Sequence, residues 1–139
     1  MAIFLNNKVG FKVATVDLSD HVTAFTLNRQ ADQLEVTAMG DTSHKFVTGL
    51  SADTITVSFL NDTAAASVLA TLQAAFGTTV AFAAIQDKVA SISATNKLYT
   101  GTILVDNLTD IAGAVADEAM IDITFTCNST TALATTGTW

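Results

Sequence analysis

Thr54-Ile55-Thr56-Val57-Ser58-Phe59-Leu60 alternates without a break: Ile55, Val57 and Phe59 fall on one side, and Thr54, Thr56 and Ser58 on the other. A period of two with one apolar and one hydroxylated side marks a strand with one face in a core and one in water. Working outward, the alternation recurs at residues 22–27, 79–85 and 119–126. In the last of these Ile121, Ile123 and Phe125 oppose Met120, Asp122, Thr124 and Thr126. Residues 11–16, 34–38 and 99–108 are three further candidate strands. Immediately after the first stretch the period changes. Ala65, Val68, Leu69, Leu72 and Phe76 follow the i, i+3, i+4, i+7, i+11 spacing of one helical face. A helix is expected over residues 62–76, with Asp62 as its N-cap and Gly77 as its left-handed stop. Val68, Leu69, Leu72 and Phe76 are expected to pack it against a sheet.

The composition fits that reading. The chain has 139 residues, enough for one domain with a real core. Hydrophobic residues make up 50% and charged residues 14%, the reverse of a disordered chain. A formal charge of −7 argues against a basic footprint for gripping nucleic acid. No apolar run reaches the roughly 18–20 residues of a membrane span, so no membrane insertion is expected. Met1-Ala2-Ile3-Phe4-Leu5-Asn6-Asn7-Lys8 has no basic start before its apolar stretch, so it is not read as a secretory leader. Proline is absent, which leaves backbone N–H groups free for ladders.

No constellation points to catalysis, a metal or a cofactor. Ser19-Asp20-His21 reads as a turn feeding a strand rather than as part of a triad, because triads are assembled from separated positions. Asp17, Asp20, Asp106 and Asp110 are scattered turn carboxylates without a calcium-loop spacing. Cys127 is a lone thiol beside Phe125 and reads as inert. The glycines are dispersed and form no phosphate loop. The sequons at Asn61, Asn107 and Asn128 are what a Thr-rich chain produces by chance.

Two stretches stand apart. Residues 39–53 show no clear period, and loops that long are usually functional. Within it Asp41, His44, Lys45, Phe46 and Val47 are candidate contact residues, with Phe46 and Val47 as apolar anchors. The tail from Asn128 is small and polar and should fray, unless Trp139 anchors it. A sheet with Thr/Ser faces and few lysines has poorly protected edges. Such edges suit either subunits that join sheets into a ring or a sheet closed into a small ligand-binding barrel.

Val16-Asp17-Leu18-Ser19-Asp20-His21-Val22-Thr23, Leu34-Glu35-Val36-Thr37-Ala38-Met39-Gly40-Asp41 and Gly49-Leu50, set before the 54–60 strand and the Ala-rich helix, occur in an order that resembles one family. So do Tyr99-Thr100-Gly101 and Ile111-Ala112-Gly113-Ala114-Val115. The family is the major tail (tail tube) proteins of long-tailed, siphovirus-type bacteriophages, especially those of actinobacterial hosts. The chain departs from the family pattern at Asn96-Lys97, where Pro is expected before Tyr99, and at Ala116, near which Gly is expected. The resemblance implies a β-sandwich or barrel with a flanking helix, in a single domain over residues 1–139 with N- and C-terminal assembly arms. It implies a structural virion protein, assembled in the host cytoplasm, whose rings, expected to be hexameric, stack into a tube through which DNA passes without specific binding. Its partners would be further copies of itself and the tape-measure, tail-terminator and tail-tip proteins. The long loop and the termini would be the stacking elements. An acidic wall would keep DNA from sticking, and Glu35, Asp106 and Asp122 are the candidate lumen acids. A terminator, a connector or a monomeric ligand-binding barrel are the alternatives.

Overall fold

The structure is a computed structural model that describes residues 6–65 and 67–139. Residues 1–5 of the expected N-terminal arm, and Ala66 within the expected helix, lie outside the described residues. The strands and the α-helix are β1 (Gly10–Val13), β2 (Val16–Asp17), β3 (Val22–Asn28), β4 (Ala31–Glu35), β5 (Phe46–Ser51), β6 (Thr54–Leu60), α1 (Val68–Ala75), β7 (Thr79–Ile85), β8 (Leu98–Leu104), β9 (Met120–Cys127) and β10 (Ala132–Ala134), with short 3-10 turns at Asn6–Lys8 and Ser19–His21.

Eight strands form one antiparallel sheet in the order β2-β1-β7-β8-β9-β6-β3, with β10 also on β8. The sheet folds over on itself. Phe11 of β1 lies 5.0 Å from Phe25 of β3 and 6.2 Å from Phe59 of β6, centroid to centroid, although those strands are far apart in the sheet order. This makes two layers, β2-β1-β7-β8 and β9-β6-β3, and the apolar face of each fills the space between them. The corner is made at β9. Its body pairs with β6 from Leu60↔Met120 to Thr54↔Thr126, while Thr126 and Cys127 also pair with Leu104 and Ile103. β10 then continues along the same edge of β8, with Leu133 opposite Tyr99. No ladder joins β3 to β2 among the described residues, so the sheet is an open sandwich and not a barrel.

The alternating faces account for the core. Ile55, Val57, Phe59, Ile121, Ile123 and Phe125 are all buried, and their register stacks them in pairs across β6 and β9. Four local expectations are corrected. The 11–16 strand is broken by a two-residue turn at Ala14 and Thr15, both with positive φ (50° and 72°). Such turns are normally marked by Gly or Asn, and here neither is present. The last strand of the 99–108 stretch ends at Leu104, which leaves Asp106 outside it. The 34–38 strand lies earlier, over β4. The expected loop at 39–53 is a strand from Phe46 to Ser51.

The helix is shorter than its apolar spacing suggests. It starts after Ser67, not Asp62, although the Asp62 carboxylate makes a bond of the kind an N-cap makes. Its Oδ1 accepts the Ala64 N–H at 2.9 Å and its Oδ2 lies 2.9 Å from His21 Nε2. The Ala64 N–H, with a smaller contribution from His21, holds that carboxyl below its ordinary range. Phe76 is not a packing residue: it lies past the last helical residue with an extended ψ of 130° and is 54% exposed. Gly77, at φ +80°, turns the chain so that its N–H reaches Val105 O at 2.7 Å. Val68 and Leu72 are fully buried, and Leu69 is half-buried. Ala116 has φ +65°, the left-handed conformation that glycine adopts most readily.

Leu72→Ala removes a fully buried side chain between helix and sheet, and should cost roughly 2–5 kcal/mol in denaturant unfolding. Phe76→Ala, at the exposed site, should stay within about 0.5 kcal/mol of the parent. Equal losses at both positions would contradict the helix placement.

Candidate functional site

β3 and β6 pair from Asn28↔Thr54 to Val22↔Phe59, and β4 and β5 pair from Ala31↔Ser51 to Glu35↔Phe46. The two ladders are one long hairpin, since Ala52 N–H bonds Gln30 O at 2.6 Å between them. The first half of the hairpin is the outer part of the sandwich. The second half leaves the body as an arm in which every residue of β4 is exposed and only Gly49 of β5 is partly covered.

The tip of the arm is tied by its own side chains. Asp41 Oδ2 accepts the Ala38 N–H at 2.8 Å, and its Oδ1 pairs with Lys45 Nζ at 2.6 Å. Lys45 foremost, with the Ala38 N–H, holds the Asp41 carboxyl below its ordinary range. His44 Nδ1 lies 2.8 Å from Glu35 Oε2, and the Lys45 N–H donates to Thr37 Oγ1 at 2.9 Å. These are the bonds of a closed turn rather than of an unstructured loop.

Register decides what the arm shows to its surroundings. Directly opposed residues of an antiparallel pair share a face. Leu34 with Val47, joined by Val36, therefore makes one aliphatic face, while Glu35 with Phe46 lies on the other. Phe46 and Val47 cannot anchor the same contact, because neighbours on a strand point to opposite sides. Leu34 and Val36, which periodicity alone did not single out as contact residues, complete the aliphatic face. Leu34 is 54% and Phe46 53% exposed, and Met39 at the tip is fully exposed.

The root of the arm is fastened by Asp53, only 3% exposed. Its carboxylate accepts the Gln30 N–H at 3.1 Å and the Thr131 N–H at 3.0 Å, and its carbonyl accepts the Cys127 N–H at 3.0 Å. Burial works to raise the Asp53 carboxyl, but Thr131, Gln30 and the nearby Arg29 charge outweigh it and hold it below its ordinary range. Burial, reinforced by the Asp53 charge, pushes the Cys127 thiol up to about 11, so it is a thiol at neutral pH. Ser51 and Thr130 hydroxyls meet at 2.8 Å beside this point.

The remaining candidate residues are dispersed. Glu35 is on the arm, Asp106 in the segment after β8, and Asp122 on the outer face of β9. Register groups Asp122 with Ser58 and Ala24, Thr124 with Thr56 and Thr26, and Thr126 with Thr54 and Asn28. The outer face of β3, β6 and β9 is therefore a field of hydroxyls with one carboxylate and no Lys or Arg. Trp139 lies against Gly10, where a Cβ would come within 2.7 Å of the indole. Its Nε1–H points to Asp17 at 3.4 Å, and Lys12 Nζ sits 4.3 Å over the ring. Ser19 donates its hydroxyl to Asp17 and accepts the Phe11 N–H at 2.9 Å, which is turn chemistry. Among the described residues no group of three or more His, Cys, Asp or Glu side chains could hold a metal.

The whole fold resembles two solved structures. A chain in the virion of a native gene transfer agent particle superposes with a TM-score of 0.72 at 13% identity, covering 95% of this chain and 99% of that one. A chain in the tail of an empty gene transfer agent particle with C6 symmetry gives 0.60 at 16% identity, covering 84% and 83%. At these identities the likeness is one of fold. No family model and no curated protein matches the sequence.

The Asp53 contacts predict a pH signature. A carboxyl held low in the folded state stabilises fully above its unfolded value and loses that contribution as pH falls through the folded one. Asp53→Asn should lower stability by roughly 1–3 kcal/mol near neutral pH. The gap to the parent should narrow below the ordinary aspartate value of 3.8. A gap independent of pH, followed by thermal melts across pH 2–7, would show that charge at this position is irrelevant.

Proposed function

We propose that this chain is the repeating subunit of a phage-type tail tube: six copies close a ring, rings stack, and the bore conducts DNA. The observation that carries the reading is the arm. It is anchored at Asp53, tied at its tip, and presents Leu34, Val36 and Val47 to solvent on one face. An isolated two-stranded ribbon is marginal in water, so such an arm makes sense when another surface covers it. The fold likeness to a chain of a virion and to a chain of a particle tail with C6 symmetry supports copies of the chain itself as that surface.

In this reading residues 1–139 act as one structural unit without an active site, and the two chain termini join the arm as assembly elements. The hydroxylated outer face of β3, β6 and β9, with Asp122, is the wall that DNA slides along. Duplex DNA binds proteins through counterion release by Lys and Arg, and that face offers neither. Terminator, tip and tape-measure proteins are the expected partners at the ends and in the bore, and the mature location is the virion.

The purified protein at high concentration should form rings or tubes in electron micrographs, spontaneously or when nucleated by a tail tip. Leu34→Ser/Val36→Ser/Val47→Ser should keep the parental melting temperature to within a few degrees and fail to elongate. Tubes should retain no duplex DNA even at low salt. A protein that stays monomeric with nucleator present, or a triple variant that elongates normally, would sink the reading.

A further inference from the structure

We propose a second contact between copies: residues 105–119 of one copy dock on the lysine-bearing end of the next, so that subunits stack head to tail with a defined polarity. This rests on the tube reading above and adds a contact outside the arm and the termini.

The segment runs from the end of β8 to the start of β9. It contains Asp106, Asp110, Asp117 and Glu118 and no Lys, Arg or His. Its path is defined by bonds to the body. Asn107 Nδ2 donates to Thr124 O at 3.0 Å, Gln73 Nε2 donates to Asp110 Oδ1 at 2.9 Å, and the Asp117 N–H closes a turn on Ala114 O at 3.2 Å. At the crest Ile111 is 93% and Val115 100% exposed. Two aliphatic anchors rimmed by carboxylates, none of them in an ion pair among the described residues, form a surface that selects a basic, partly apolar partner.

The chain carries such a surface at its other end. In the sheet Gly10, Ile85 and Leu98 are neighbours. Lys8 precedes the first, Lys88 follows the second and Lys97 precedes the third, so three of the six basic residues sit at one rim. The Lys88 N–H bonds Lys8 O at 2.9 Å, which fixes the first two together. Lys88 is occupied by Asp20 at 3.1 Å, and Asp87 by the Val89 and Ala90 N–H groups. Lys8 and Lys97 make no ion pair among the described residues. Val89, beside them, is exposed. β8 separates the two surfaces, with Lys97 before its first residue and the acidic segment after its last. Seven strand residues span roughly 20 Å, so no copy satisfies its own segment. A contact between two different patches of identical chains is heterologous and propagates, which is the geometry a stack of rings requires.

The test starts with the unmodified protein. Equal amounts of ¹⁴N- and ¹⁵N-labelled chain are brought to assembling concentration, treated with a carbodiimide and read by mass spectrometry. Mixed-isotope links from Lys8 or Lys97 to Asp117 or Glu118 are expected. Tubes that lack these links overturn the contact and leave the tube standing. Linked multimers without tubes support the contact and overturn the tube reading. Monomer without links overturns both. Charge reversal gives the second arm. Lys8→Glu/Lys97→Glu and Asp117→Lys/Glu118→Lys, each with a parental melting curve, should each raise the concentration needed for assembly by about tenfold or more. A one-to-one mixture should assemble again, with the two chains alternating. If either variant assembles alone like the parent, or the mixture does not recover, the contact is wrong.

Discussion

A single buried carboxylate holds three segments together. Asp53 receives the Gln30 and Thr131 N–H groups on its side chain and the Cys127 N–H on its carbonyl. Those bonds lie where the long hairpin leaves the sandwich and where β9 turns the corner from one layer to the other. The sandwich closes only because β9 serves β6 along its length and β8 at its end. The arm has a fixed direction only because its root is fastened at that same corner. An ionised group in this place is stable because its lone pairs are met by N–H donors; buried without them it would be costly.

From that corner the molecule divides into a body that satisfies itself and parts that do not. The body has its aromatic and aliphatic faces inside and hydroxyls outside. The arm and residues 105–119 carry large apolar side chains into solvent. Isolated exposed apolar residues are common on any protein. Here they are organised: one aliphatic face set by strand register, and one pair of anchors with an acidic rim. Both features are what the proposed contacts between copies would cover.

The charge distribution adds direction. A net charge of −7 spread evenly would push copies apart. In the proposed stack, half of the basic residues at one rim and a base-free acidic segment across β8 from it would turn part of that repulsion into attraction when copies align one way round. The outer face of β3, β6 and β9 stays nearly uncharged, with Asp122 as its one carboxylate.

The alternation in residues 54–60 and 119–126 was legible from the sequence because one face of each strand is buried by the chain itself, and burial is what imposes a period of two. The presence of one helix was legible for the same kind of local reason. Tertiary structure alone decided the rest. β5 shows no period because neither of its faces is buried in its own chain. The helix begins at Val68, although Asp62 bonds the Ala64 N–H as an N-cap would and meets His21, 41 residues away. Phe76 fits the helical spacing but falls one residue past the last helical turn. The Ala14-Thr15 turn carries no glycine to announce it. Periodicity records only the contacts a segment makes with its own core. Register, corners and exposed apolar faces are set by partners distant in the chain, and no local pattern encodes them.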